Sequence, residues 1–210
     1  MTQTEEFTEP AVRSRPHRWP PGDGVGVFHA VRRTVSEAGH RNAGSLEARL
    51  TERYLSALAT AEAGGRPPEC WRPLFQYRHH PGVRPVQFAL AGLHAHVAHD
   101  LALAVVDVCR TRDCEPDALE GEFEQVGDLL SLLEERIHDE LMPGPDLLRI
   151  ADPLTHLVSS WSLERARGAA WTTARLLRRL RGFPSAAEEF PRQNDAGAGL
   201  VVRFLLTPCR

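Results

Sequence analysis

From residue 24 onward, apolar positions recur every three or four residues in several separate runs, a spacing that predicts α-helices rather than strands. Asp23 closes the turn cluster Trp19-Pro20-Pro21-Gly22-Asp23-Gly24 and is placed to cap a first helix reaching about His40. A second helix is expected from about Leu46 to Ala63, with Leu46, Leu50, Tyr54 and Leu58 at four-residue spacing. Gly64-Gly65-Arg66-Pro67-Pro68 stops it. The segment Trp71 to Pro85, broken by Pro73, Pro81 and Pro85, reads as an irregular connection, and a third helix then continues to about Arg110. A fourth, from about Asp117 to Leu141, carries Leu119, Phe123, Val126, Leu130, Leu133 and Ile137 on one face. Pro143-Gly144-Pro145 ends it, and a short turn or helix holds Leu147 to Leu157. A long helix follows from about Trp161 to Arg181, with Ser160 as its cap. Beyond Gly182 the pattern predicts a loop and then an apolar stretch, Leu200 to Leu206, whose state it leaves open. Period-two alternation is sustained nowhere, so the expected class is all-α: an irregular bundle of about six helices around a buried central helix (about 86–110). Residues 1–18, polar and without periodicity, are expected to form a flexible tail before a single α-helical domain over 19–210.

Composition narrows the chemistry. With 42% hydrophobic and 25% charged residues among 210, and a net charge of −3, the chain has no global attraction to nucleic acid or to an anionic membrane. All 25 basic residues are arginine. The absence of lysine excludes Schiff-base, pyridoxal-phosphate and P-loop chemistry, each of which needs that side chain. Glu5, Glu6 and Glu9 precede any basic residue and no apolar stretch follows, so no secretory signal is expected. Nowhere do eighteen apolar residues run together, so no membrane-spanning helix is expected either. Cys70, Cys109, Cys114 and Cys209 are irregularly spaced and form no C-x-x-C pair, as expected of reduced, individually placed thiols in a cytoplasmic protein.

The third helix carries the candidate chemistry. It is apolar nearly all round, and its polar residues project onto it at about 100° per residue. With His96 as origin, Asp100 falls about 40° to one side, Asp107 about 20°, and His99 about 60° to the other. These four share one stripe, while His94 lies almost opposite, near Gln87. Burying such groups unpaired costs about 2–7 kcal/mol each, so they must be paired, hydrated or coordinated. His96 and Asp100, at i and i+4, are in mutual reach. The carboxylate can fix the tautomer of a general base, both can ligate a divalent metal with His99 as third ligand, or they can only specify packing. A metal would need completion from His138, His156, Glu135, His79 or His80, none of which forms an H-E-x-x-H or E-x-x-H pattern. His138-Asp139 sits on the rim of the fourth helix, and Glu124, Asp128 and Glu135 lie opposite its apolar face. Arg165, Arg167, Arg175, Arg178, Arg179 and Arg181 make the long helix basic; surface charge and ion pairs to the acidic fourth helix are expected of them. In the proline-rich connection, Arg72, Arg78 and Arg84 flank Gln76-Tyr77 and His79-His80, an arrangement able to cover a pocket above His96 and clamp an anion.

The stretch Trp71-Arg72-Pro73-Leu74-Phe75, through Gly82-Val83-Arg84-Pro85-Val86-Gln87-Phe88-Ala89-Leu90-Ala91-Gly92 to Asp100-Leu101, resembles an actinobacterial domain family of unknown function. The resemblance extends from about Trp19 to Pro208, with Trp161-Ser162 and Ala169-Ala170-Trp171 as further landmarks. The family's central pattern is N-A-H-I-N-x-D-L, so the resemblance implies weight on His96 and Asp100. His94 and Ala98 each stand where the pattern has asparagine, as a specialised, biosynthetic member would differ. The leading expectation is a small-molecule enzyme in which His96 is general acid or base, Asp100 orients it and His99 assists or ligates. His94, Arg78 and Tyr77 are the expected substrate contacts. Cyclisation, isomerisation, elimination and hydrolysis all fit, with no cofactor required and a divalent metal left open. The alternatives are a non-catalytic helical scaffold or binding module and a metal-dependent hydrolase or oxygenase. Nucleic acid and membrane are not expected as partners, and the oligomeric state is left open.

Overall fold

Asp23 caps the first helix as expected: its Oδ1 accepts from the backbone N–H of Val25 and Gly26 at 3.1 and 3.3 Å. A computed structural model describes residues 23–39, 45–141 and 162–208. Seven helices run through them: α1 (Gly24–Gly39), α2 (Ser45–Glu62), α3 (Arg72–Tyr77), α4 (Pro85–Arg112), α5 (Glu120–Leu141), α6 (Leu163–Arg179) and α7 (Pro184–Leu205). No strand occurs among the described residues. The 1–18 tail, the Pro143-Gly144-Pro145 stop, the Leu147 to Leu157 element and the Ser160 cap all lie outside them.

Three expectations need correction. The Trp71 to Pro85 connection contains α3, because Pro73 falls in the first helical turn, where a missing N–H is no loss. α6 is capped by Ser162, whose Oγ accepts from Arg165 N at 3.3 Å. The region after Gly182 is α7, 22 residues long with Pro184 in its first turn and Pro191 inside it. Two prolines and two glycines masked that helix in the sequence pattern, and packing against α4 overrides the propensity. α5 begins after a short 3-10 turn, Pro116–Leu119, and all six residues of its expected apolar face are buried.

α4 is the axis of the bundle and touches each of the other six helices. It is long and apolar enough to cross a membrane by length and composition alone, although His and Asp100 interrupt its apolar runs. In the fold, 83% of its most apolar 18-residue window is buried among the neighbouring helices, the condition of a core helix. Gln87 locks its start to the end of α7: Nε2 donates to the Leu205 and Thr207 carbonyls, both at 2.8 Å, and Oε1 accepts from Arg84 N at 2.8 Å. Gln87→Leu leaves these backbone groups without partners and is expected to cost about 2–4 kcal/mol, read from urea unfolding. Beside α4, Phe28, Tyr54 and Trp71 form one aromatic cluster with centroids 5.1 to 5.6 Å apart.

The basic helix α6 pairs with the acidic segment around α5, as its charge pattern predicted: Arg167 with Glu124 at 3.2 Å, and Arg178 with Glu115 at 3.1 Å.

Candidate functional site

Midway along α4, His96–Leu101 form a π-helical turn. Its wider i→i+5 winding rotates less per residue than an α-helix. A residue four positions on still returns to nearly the same side, so Asp100 stays beside His96. A residue three positions on is carried further away, and this moves His99 off the stripe expected from α-helical projection. His96 Nδ1 lies 3.5 Å from Asp100 Oδ2, a long contact, while Trp71 Nε1 donates to the same oxygen at 2.9 Å. The indole is therefore the firmer hold on the carboxylate. Arg32 Nε donates to His96 Nε2 at 3.4 Å, which makes Nε2 the acceptor and leaves the ring proton on Nδ1, toward Asp100. The imidazole sits among the edges of Phe28, Tyr54 and Trp71, with centroids 6.0 to 6.2 Å away. Burial depresses the His96 pKa most strongly; Asp100 opposes this and Arg32 adds to it, so the ring is neutral at pH 7.

His96 borders a half-open cavity of about 30 Å³ between α1, α2, α4 and α5, room for about two waters. Leu50, Leu130 and Leu133 belong to its apolar wall, and Arg32 and Glu47 form its polar side with His96. Arg32 donates to Thr51 Oγ1 and lies 5.4 Å from the Tyr54 ring centroid, a cation–π contact. Its burial lowers its pKa, opposed by Tyr54, Glu47 and Asp100. Glu47 is 8% exposed, and its Oε2 has no donor among the described residues. A buried carboxylate oxygen without a donor, beside a cation and a neutral imidazole, is chemically unsatisfied.

The remaining expected residues disperse. His99 turns toward α7, where its Nε2 is 3.9 Å from Asp195 Oδ1. Asp107 is paired with Arg53 on α2, at 2.6 Å. His94 is half-buried on another side of α4, and burial pushes its pKa down to about 4. Arg78 is committed to Asp23 at the start of α1, at 2.7 Å, and Arg72 to Glu69 at 2.6 Å, so these two do not form an anion clamp over His96. The Tyr77 ring packs against His80, with centroids 5.7 Å apart. His79, His80, Glu135 and His138 are exposed and none lines the cavity; His156 lies outside the described residues. His94, Arg78 and Tyr77 do not line it either.

Arg32, Glu47 and Trp71 were not singled out from the sequence. The one local signal was Arg32 standing four residues after Phe28, on the apolar side of α1, where a cation needs a reason to be. Glu47 is similarly placed, directly after Leu46 on the buried side of α2.

The family model described as a family of unknown function (DUF5995) matches residues 11–208, and the chain belongs to that family. No curated protein and no solved structure matches the chain.

Proposed function

We propose that this family member is a cytoplasmic enzyme acting on a small, largely apolar organic molecule by His/Asp acid–base chemistry, in a biosynthetic pathway. One observation carries this reading: the acceptor nitrogen of a tautomer-fixed imidazole borders a cavity that also holds a guanidinium and a buried carboxylate oxygen lacking a donor. In the proposed step, His96 Nε2 takes a proton from a C–H or O–H acid, and Asp100 stabilises the imidazolium that forms. Arg32, whose 3.4 Å contact with Nε2 is weak enough to yield, turns to the substrate oxygen on which negative charge develops. Glu47 accepts a hydrogen bond from a hydroxyl or amine of the same molecule. The cavity takes only the reacting end of such a molecule, whose apolar body lies against the leucine wall at the open side. Cyclisation, isomerisation and elimination fit this set, as does hydrolysis with water as the proton donor, and none of them needs a cofactor.

A second reading is favoured by burial. His96 and Asp100 are each 2% exposed, as expected if Trp71–Asp100–His96–Arg32 is a network that only specifies packing in a helical scaffold. Formate, an oxyanion small enough for a space of about 30 Å³, separates the two on protein with ¹⁵N-labelled histidine rings. The catalytic reading expects formate to shift the His96 Nε2 resonance, and expects His96→Gln to remain folded. An unresponsive ring, with His96→Gln lowering only the melting temperature, supports the scaffold.

A further inference from the structure

On the side of α4 away from the cavity, three segments distant in sequence are tied together by hydrogen bonds. Asp195 on α7 accepts from the backbone N–H of Glu69 and Cys70, at 2.8 and 2.9 Å. Its neighbour Asn194 donates to the Ala98 carbonyl in the π turn at 3.0 Å. Gly199 lets α7 come this close: a Cβ there would stand 2.7 Å from the Glu69 carbonyl oxygen. The result is that Cys70, His99 and Asp195 present a sulfur, an imidazole nitrogen and a carboxylate oxygen all within 4.8 Å of one another.

We propose that Cys70, His99 and Asp195 form a binding site for a divalent transition metal, zinc in the first instance. Thiolate, imidazole and carboxylate are the donor set that zinc takes, and three protein ligands leave a fourth corner for water or substrate. The charges balance, since one thiolate and one carboxylate neutralise a dication, which is what a buried site requires. The distances are close. Zinc–ligand bonds of about 2.0–2.3 Å place tetrahedral ligands about 3.3–3.8 Å apart, and His99 Nε2 to Asp195 Oδ1 is 3.9 Å. With all three donors within 4.8 Å of one another, an inward shift of up to about 1 Å completes the site. His99 supplies the independent observation: it is 5% exposed, its Nδ1 has no hydrogen-bond partner among the described residues, and its Nε2 faces Asp195 from beyond hydrogen-bond distance. A metal seated between Nε2 and Asp195 Oδ1 closes that gap, with the ring proton then held on Nδ1. Binding releases the thiol proton of Cys70 to solvent, forms the S–Zn bond, and changes no oxidation state.

The test uses chelator-stripped full-length protein and Co²⁺, then Zn²⁺. The expected result is one equivalent of Co²⁺ bound, with a thiolate-to-cobalt charge-transfer band and tetrahedral d–d bands that Zn²⁺ bleaches. Cys70→Ser removes the charge-transfer band. His99→Gln and Asp195→Asn, the latter keeping an oxygen acceptor for one of the two backbone N–H groups, weaken Co²⁺ binding by about tenfold or more. A wild-type protein with no charge-transfer band overturns the proposal, as does a band that survives Cys70→Ser. If that variant does not fold, X-ray absorption on the zinc-loaded wild type decides. One sulfur at about 2.3 Å among nitrogen and oxygen ligands supports the site, and none refutes it.

Discussion

Asp100→Ala is expected to lower the unfolding free energy by about 3–5 kcal/mol, because two buried donors, Trp71 Nε1 and His96 Nδ1, lose their shared acceptor at once. The indole contributes most of this, since its 2.9 Å bond is the short one and Trp71 is 1% exposed. Asp100→Asn keeps an oxygen of nearly the same shape in reach of the indole and should cost less than half as much. Urea unfolding at pH 7.5 measures both; equal losses for Ala and Asn would mean that the charge, rather than the acceptor, holds the network. A Trp71→Phe variant completes the comparison. It should make most of the Asp100→Ala loss disappear on combination, because contacting residues are not additive.

The second large effect is on pH dependence. Burial drives the His94 pKa down to about 4 and depresses His96 in the same direction, while both rings titrate near 6.5 once the chain unfolds. Between the folded and unfolded values the unfolded chain binds more protons, so stability rises with pH through this window and is lost as pH falls below about 6.5. His94 alone should remove about 2 kcal/mol between pH 7.5 and 5, and His96 steepens the slope. Asp23 and Glu122, whose carboxyls are held below their ordinary values, lose stability only at lower pH and do not mask it. Urea midpoints taken with chelator present, on wild type and His94→Leu, measure the effect. A variant as pH-sensitive as the wild type would show that His94 is not the buried titrating group.

Legibility in the sequence followed the range of each interaction. Asp23 could be read as a cap because the N–H groups it accepts from are two and three residues away. The apolar face of α5 was readable because 3.6-residue periodicity is a property of one segment. His96 and Asp100 were readable as a pair for the same reason. α-Helical projection misplaces His99 because the π turn breaks that winding, and α7 is hidden because its two prolines and two glycines outweigh its periodicity. Arg78 was read as a free cation because its partner Asp23 stands 55 residues earlier.

The sequence by itself determined where most helices run, that the helix over about 86–110 would be buried, and that an imidazole and a carboxyl would meet one turn apart on it. Helix formation depends on periodicity, caps and breakers within a few residues, and all of these are local. Only the tertiary structure decided which distant side chains meet that pair, and which meet Cys70 and His99. Trp71, 29 residues from Asp100, Arg32, 64 residues from His96, and Asp195, 125 residues from Cys70, converge through the packing of α1, α3 and α7 on α4. Such convergence minimises exposed apolar surface over the whole chain at once, and no window of sequence contains it.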